Sequence, residues 1–317
     1  QLTDDEKSKV LESHMFVVKK RTGETKARLV GGGNKQREYL TKEDSSSPTV
    51  ATESVLLTSI VDADEGRDVA IIDIPNAFIQ TRVEEKKDRV IIRIRGVVVD
   101  WLTKIAPAVY NKFVSQDKKG DKTLLVECMN VIYGTMVAGL LYYRKFTESL
   151  ERKNFIKNSY DPCVWNKVVK GKQCTICFHV DDCKISHVSP KVIDDMIAWL
   201  RQEYESIFTD GSGKMKVARG KVHKYLGMTL DFATSKLVKV KMFDYVDEII
   251  EVWNRACKEF DNGFEFVANR KKIATAAPED LFKVNEDALK LSPPEAKSFH
   301  SIIAMILYVT KRARPDT

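Results

Sequence analysis

Two apolar runs that end abruptly in carboxylates constrain this chain more than any other feature. VAIIDI (69–74) sets Asp73 at the end of an unbroken hydrophobic stretch, and QCTICFHV (173–180) runs directly into Asp181-Asp182. Short continuous apolar runs rich in β-branched residues predict strands covered on both faces. A carboxylate at the end of such a strand must emerge at the sheet edge or face a cation, because burying it unpaired is costly. Carboxylates converging from neighbouring strands are hard oxygen ligands suited to Mg²⁺. Two such ions, roughly 3.5–4 Å apart, can activate an attacking hydroxyl and stabilise a leaving pyrophosphate. An acid pair alone says little: the chain also has Asp4-Asp5, which fits a solvated tail, and Asp194-Asp195, which fits the first turn of a helix. A hairpin tip is itself ordinary ground for Asp-Asp.

The rest of the chain reads as interleaved strands and helices. HMFVVKKRTGETKARLV (14–30) predicts a hairpin around Thr22-Gly23, followed by Gly31-Gly32-Gly33. That glycine run lacks the Gly-Lys-Ser/Thr and the following helix of a phosphate loop. Thr52 to Ala63 reads as a helix with Val55, Leu56 and Ile60 inward, and RVIIRIR (89–95) as a strand with one wet, arginine-bearing face. Residues 129–150 have a helical pattern interrupted by Gly134 and Gly139. VWNKVV and QCTICFHV form two strands joined at Lys170-Gly171-Lys172, and KISHV returns after the acid pair. Ser189-Pro190 opens a helix with Ile193, Met196, Ile197, Leu200, Tyr204, Ile207 and Phe208 on one face, stopping at Gly211. KYLGMTLDF (224–232) and KLVKVKMF (236–243) read as strands. Asp244–Cys257 reads as a helix with Val246, Ile249, Ile250 and Trp253 inward, and Pro293–Arg312 as one with Phe299, Ile302, Ile303 and Ile306 inward. Without βαβ regularity, the class is α+β.

Composition sets bounds. In 317 residues, 43% are apolar, enough for real cores. No apolar run approaches a bilayer span, so no membrane partner is expected. The opening QLTDDEKSKV has no basic–apolar–small signal and reads as part of a longer polypeptide. Six cysteines without a secretory signal predict reduced thiols in an intracellular protein. Cys174-x-x-Cys177 has metal-like spacing, but on a strand residues three apart point to opposite faces, so small buried hydrophobes are the better reading. The net charge of +7 fits a polyanionic partner only where the basic residues cluster, as at 17–28, 89–95 and KLVKVK.

Six segments in order now gain meaning: KARLV (26–30), DIPNAF (73–78), NVIYGTMVAGLLYYRKF (130–146), DPCVW…FHVDD (161–182), KYLGM (224–228) and LYVTKRARPD (307–316). Together they resemble the reverse transcriptase of Ty1/copia-type LTR retrotransposons, with greatest likeness to copia-like elements of diatoms and other algae, over nearly the whole chain. The resemblance implies a right-hand polymerase fold with a mixed antiparallel palm sheet flanked by helices and a helical thumb. Fingers would be 1–66 and 84–128, palm 67–83 and 129–232, and thumb 233–317, ending before a ribonuclease H region. It implies RNA- and DNA-templated DNA synthesis by two-metal nucleotidyl transfer from a dNTP to a primer 3′-OH. Two Mg²⁺ would serve, with Mn²⁺ as a substitute. Partners would be RNA template, DNA primer and template, the RNA–DNA hybrid and dNTPs. Ribonuclease H, integrase and protease regions would lie elsewhere in the polyprotein. The setting would be cytoplasmic, in a virus-like particle, with a nuclear stage.

Residue by residue, the resemblance makes Asp73, Asp181 and Asp182 catalytic carboxylates, with the Ile74 carbonyl as an added metal ligand. Lys26, Arg28, Asn76, Ala77, Phe78, Tyr133 and Gly134 would hold the dNTP, Phe78 excluding a ribose 2′-OH. His179, Val180, Leu226 and Gly227 would meet the primer and template. Two departures stand out. His179 replaces the Tyr usual before x-Asp-Asp, and Thr135–Gly139 replaces the usual Leu-Lys-Gln-Ala-Pro, removing its polar Lys and Gln. Two rival readings use the same acids: a catalytically inactive relic that binds primer–template, and a metal-dependent nuclease for which Lys26, Arg28 and Phe78 are incidental.

Overall fold

The computed structural model describes residues 2–19, 23, 25–205, 213–260, 283, 286–287 and 290–314. In chain order the elements are α1 (Asp4–Ser8), β1 (Leu11–Lys19), β2 (Thr25–Gly31), α2 (Lys42–Ser45), α3 (Thr52–Asp64), β3 (Asp68–Asp73), β4 (Val90–Arg95), α4 (Val97–Ile105), α5 (Pro107–Tyr110), β5 (Ser115–Gln116), β6 (Lys122–Cys128), α6 (Ala138–Arg152), β7 (Ile156–Lys157), β8 (Val164–Val169), β9 (Lys172–His179), β10 (Asp182–His187), α7 (Pro190–Tyr204), β11 (Lys216–Ala218), β12 (Val222–Tyr225), β13 (Met228–Asp231), β14 (Lys239–Lys241), α8 (Phe243–Glu259) and α9 (Pro293–Thr310). Helices interleave with three sheets of order β2-β1-β4-β6-β5, β11-β3-β10-β9-β8-β7 and β12-β13-β14, the α+β class expected. The chain divides into two compact units: Gln1–Val50, Ile72–Ile185 and Pro190–Val217 form the first, and Ala51–Ile71, Ser186–Ser189 and Ala218–Thr317 the second. No described helix is long and apolar enough to cross a membrane.

In the first unit, the β1–β2 hairpin is antiparallel, with Phe16 opposite Arg28 and Val18 opposite Lys26. β1 joins β4 in parallel at Leu11 and Ile92, and β4 pairs antiparallel with β6. One face of this sheet buries Leu11, Ile92, Ile94 and Leu124 against Val99 and Val137. The arginines of RVIIRIR do form a wet face, but acids of the same unit engage them. Arg89 pairs with Glu6 and Glu127, Arg93 with Glu12, and Arg95 with Glu12 and Asp117. That surface is closer to neutral than the arginine count suggests.

The strand predictions around the acids hold. β9 is buried from Cys174 to Phe178, and β8 turns into β9 through Lys170 and Gly171, at φ 53° and 73°. Both residues lie in the left-handed region that a tight two-residue hairpin requires. All six cysteines are buried free thiols. In α7, Ile193, Met196, Ile197, Leu200 and Tyr204 are buried as expected, with Val192 and Trp199 added. Thr22, Ile207, Phe208, Gly211 and Asp316 lie outside the described residues. The helix expected over 129–150 starts only at Ala138, because Gly134 adopts φ 85° and breaks any earlier turn. Its buried face carries Tyr142, Phe146 and Leu150, and the two rings form an aromatic row with Phe178 and Tyr204.

The second unit differs more from the sequence reading. In α3 the buried face is Val55, Ser59, Asp62 and Ala63, while Ile60 is exposed. The helix turns that face inward to bury an ion pair, Arg67 Nη1 to Asp62 Oδ1 at 3.7 Å, and the Arg67 N–H donates to the Asp62 carbonyl at 2.8 Å. KYLGMTLDF is a hairpin rather than one strand, since Leu226 and Gly227 take φ 47° and 75°. Of KLVKVKMF only Lys239–Lys241 is strand. α8 and α9 pack on each other along a narrow stripe, burying Cys257 and Ile302 and leaving Val246, Phe299, Ile303 and Ile306 exposed.

The Asp62–Arg67 pair gives a test of this unit. Arg67→Met should lower unfolding free energy by about 3–5 kcal/mol, because it breaks a buried pair by removing one partner. The Asp62→Leu/Arg67→Met double variant should recover most of that loss. Urea titration of the three proteins measures both.

Candidate active site

β3 delivers Asp73 at its last residue, and the β9–β10 hairpin delivers Asp181 at its tip and Asp182 at the first residue of β10. The Ile74 N–H donates to the Asp181 carbonyl at 3.0 Å, so the two strand ends are tied directly. The turn residue Val180 is held at φ 57°. A β-branched residue in the left-handed region costs of order 1–3 kcal/mol, and such strain persists only where surrounding structure imposes it.

The proximity acts on the charges. Burial first, then the Asp73 carboxylate, pushes the Asp181 carboxyl above the ordinary range, while its own backbone N–H, His179 and Arg28 pull it down. Asp182 is raised by burial, then by Asp181 and Asp73, with His179 opposing. Asp73 is the more exposed acid, with Lys216 Nζ 4.0 Å from its carboxylate. Among the described residues, Asp73, Asp181 and Asp182 included, no group of three or more His, Cys, Asp or Glu side chains is placed so that it could hold a metal ion. Mg²⁺ does not demand one, since it is commonly held by one or two carboxylates together with waters and substrate phosphates. Two neighbouring acids that resist ionisation fit a site completed by a divalent cation and its substrate.

Beside the acids, residues 75–80 form an irregular turn, with Asn76 at φ 51° and Ala77 buried. Phe78 is half-buried, its ring edge-to-face with Tyr133 at 5.2 Å and with Tyr142 at 6.1 Å. The Arg28 guanidinium lies 5.1 Å over the Tyr133 ring. Lys26, two residues earlier on β2, shares that face of the hairpin and is exposed. Burial raises the Tyr133 phenol; Arg28 opposes this, and Asp181 and Asp73 add to it. One arginine, two rings and the acids therefore share a neighbourhood.

The glycine run dismissed as a phosphate loop proves to be the clasp that seats Tyr133. Gly31 N–H donates to the Tyr133 carbonyl at 2.8 Å and Gly33 N–H to the Gly134 carbonyl at 3.1 Å. A Cβ on Gly33 would lie 2.2 Å from the Gly134 oxygen, and one on Gly134 2.4 Å from the Gly31 oxygen. The residues replacing Leu-Lys-Gln-Ala-Pro are tied in locally. Thr135 Oγ1 donates to the Ile132 carbonyl, and Met136 N–H donates to Gln36 Oε1.

The first unit thus brings together Asp73, Ile74, Phe78, Tyr133, Gly134, Arg28, Asp181 and Asp182, with Lys26, Asn76, Ala77, His179 and Val180 on the same segments. Leu226 and Gly227 belong to the second unit, where Tyr308 OH donates to the Leu226 carbonyl at 2.9 Å. Sequence reading missed Tyr142 and Lys216. Tyr142 carried a signal, its four-residue spacing to Phe146 and Leu150 on one helix face; Lys216 carried none.

A family model described as reverse transcriptase (RNA-dependent DNA polymerase) matches residues 4–258. The chain belongs to this family. It is of the Ty1/copia type. The putative transposon Ty5-1 protein of Saccharomyces cerevisiae is 23% identical over 185 residues, 58% of this chain and 52% of that protein. The chain therefore spans about half the length of that curated relative. Among solved structures, apo telomerase from Candida tropicalis is 11% identical with a TM-score of 0.43, covering 81% of this chain and 51% of that one. The same telomerase with the TWJ fragment of telomeric RNA is also 11% identical, with a TM-score of 0.41 and coverage of 96% and 55%.

The raised acids make a stability prediction for this reverse transcriptase chain. The folded Asp181 carboxyl holds its proton more tightly than the unfolded one, whose ordinary value is 3.8. Wild-type stability should therefore fall, relative to Asp181→Asn, as pH rises through and above that value. Thermal melts in chelator should show matched stabilities in acid and a more stable variant at neutral pH.

Proposed function

We propose that this chain performs template-directed DNA synthesis on RNA and DNA strands. A primer 3′-OH attacks the α-phosphate of a dNTP in line, the new phosphodiester bond forms, and pyrophosphate leaves. The observation that carries this reading is the Ile74–Asp181 backbone hydrogen bond, which sets Asp73 beside Asp181-Asp182. Asp73 and Asp181, with the Ile74 carbonyl and Asp182 in support, would hold two Mg²⁺, or Mn²⁺ in their place. Bound there, divalent ions supply Lewis-acid stabilisation of the phosphoryl oxygens and lower the pKa of the attacking hydroxyl.

The chain's own groups supply the rest. Arg28 and Lys26 present cationic charge to the triphosphate and stabilise the negative charge that develops on transfer. Asn76 and Ala77 line the turn beneath it with backbone. Phe78 fills the space a ribose 2′-OH needs. Tyr133 and Gly134 lie under the incoming base. His179, Val180, Leu226 and Gly227 contact the primer and template. In this reading the fingers are 1–66 and 84–128, the palm 67–83 and 129–232, and the thumb 233–317. The hybrid is read by its backbone and shape, so affinity falls steeply with salt. The wider polyprotein supplies ribonuclease H, integrase and protease, and the work takes place in a cytoplasmic particle with a nuclear stage. Phe78, Tyr133 and Arg28 gathered beside the acids favour a polymerase over a nuclease, which has no incoming dNTP to seat.

Primer extension on an RNA template with Mg²⁺ tests the proposal. Wild-type chain should extend the primer, and Asp73→Asn should lose at least about a hundredfold in rate while keeping duplex binding and its circular dichroism spectrum. Duplex binding without extension would make the chain an inactive relic, and cleavage without dNTPs would make it a nuclease. Phe78→Val should admit ribonucleotides while dNTP use stays measurable; unchanged sugar discrimination would remove the gate assignment alone.

A further inference from the structure

We propose that Tyr142 is the positioning residue behind sugar selection, its buried ring bracing Phe78 from α6; the inference rests on the reading of Phe78 as the gate. A steric filter works only if it is stiff, because a ring that yields by a few tenths of an ångström admits the hydroxyl it should reject. Phe78 has little stiffness of its own. It sits in the irregular turn of residues 75–80, outside any strand ladder, held by local bonds such as Gln80 N–H to the Asn76 carbonyl and Thr81 N–H to the Phe78 carbonyl. Its ring is fixed from two sides, by Tyr133 at 62° and by Tyr142 at 78° between planes.

Those two supports differ in kind. Tyr133 is half-buried in the loop before α6 and carries Arg28 on its ring, so it belongs to the nucleotide-facing surface. Tyr142 is 1% exposed and lies within α6. It is backed by Phe146, stacked at 5.9 Å, and Phe146 in turn meets Phe178 at 4.7 Å and Tyr204 at 5.7 Å. Side chains packed at interior density transmit strain rather than absorb it, so this row is a rigid backstop. The Tyr142 hydroxyl has no hydrogen-bond partner among the described residues, so the ring and not the hydroxyl makes the contact that matters here.

The test compares kcat/KM for ribo- and deoxyribonucleotides in primer extension by wild-type chain, Tyr142→Leu, Tyr142→Phe, Phe146→Leu, Phe78→Val and the Phe78→Val/Tyr142→Leu double variant. Tyr142→Leu should lower discrimination by roughly three- to tenfold, the scale of one edge-to-face ring contact, through better ribonucleotide use with dNTP kcat little changed. Tyr142→Phe keeps the ring and should keep the discrimination. Phe146→Leu leaves the Tyr142 ring against Phe78 but removes the ring stacked behind it, and should lower discrimination by less than Tyr142→Leu does. The double variant should lose no more than Phe78→Val, because the brace has nothing left to hold. Should Tyr142→Leu fail to fold by thermal melt, Tyr142→Met takes its place as a better match of length.

Unchanged discrimination in the Tyr142 variant, with Phe78→Val relaxed, overturns the brace and leaves the gate standing. A shift in Tyr142→Phe or Phe146→Leu as large as in Tyr142→Leu also overturns it, by assigning the effect to the hydroxyl or to general loosening. If Phe78→Val itself changes nothing, or no primer is extended, the gate or the polymerase reading falls first and the brace falls with it.

Discussion

Two strand ends that carry three carboxylates, joined backbone to backbone, are the constraint on which the rest of this structure depends. The Ile74 N–H to Asp181 carbonyl bond closes the gap between β3 and the β9–β10 tip. It leaves like charges close enough that burial and mutual repulsion both push the Asp181 and Asp182 carboxyls upward. A fold selected for stability alone would place neutral groups there, and would not hold Val180 in a left-handed conformation to do so. Strain and raised carboxyls concentrated at one tip mark it as a candidate functional site.

The machinery around the acids is attached by contacts that need small or flat groups. The β1–β2 hairpin meets the loop before α6 through main-chain bonds between Gly31–Gly33 and Tyr133-Gly134, an approach that a single Cβ would block. Aromatic rings then continue inward from that joint: Arg28 over Tyr133, Tyr133 against Phe78, Phe78 against Tyr142, and on into the core through Phe146. The basic face of the hairpin is thereby fixed to the apolar interior through a short series of stacked and edge-on contacts.

The charge distribution sharpens the account of nucleic-acid contact. A net charge of +7 is spread over a chain whose β4 arginines are already matched by Glu6, Glu12, Asp117 and Glu127. Fewer cations lie toward the acids: Arg28, with Lys26 on its face of the hairpin, and Lys216 beside Asp73. Position, rather than total charge, carries the electrostatic argument.

What the sequence alone determined is local. The apolar runs announced β3 and β9, the acids at their ends announced a costly buried charge, Lys170-Gly171 announced a tight hairpin, and Ser189-Pro190 announced the start of α7. Six ordered motifs then announced the family. These signals are short-range because strand burial, turn conformation and helix entry depend on neighbours in the chain. Tertiary structure decided the rest. It chose Asp62 over Ile60 for the buried side of α3, because a buried arginine was there to meet the carboxylate. It split KYLGMTLDF into a hairpin, delayed α6 until after the Gly134 turn, and left most of the apolar stripe of α9 exposed because α8 covers only part of it. It also set Tyr142 behind Phe78 and Gly31–Gly33 against Tyr133-Gly134. Such choices turn on which surfaces meet across long stretches of chain, and no local pattern records the partner a side chain will face once the chain has closed.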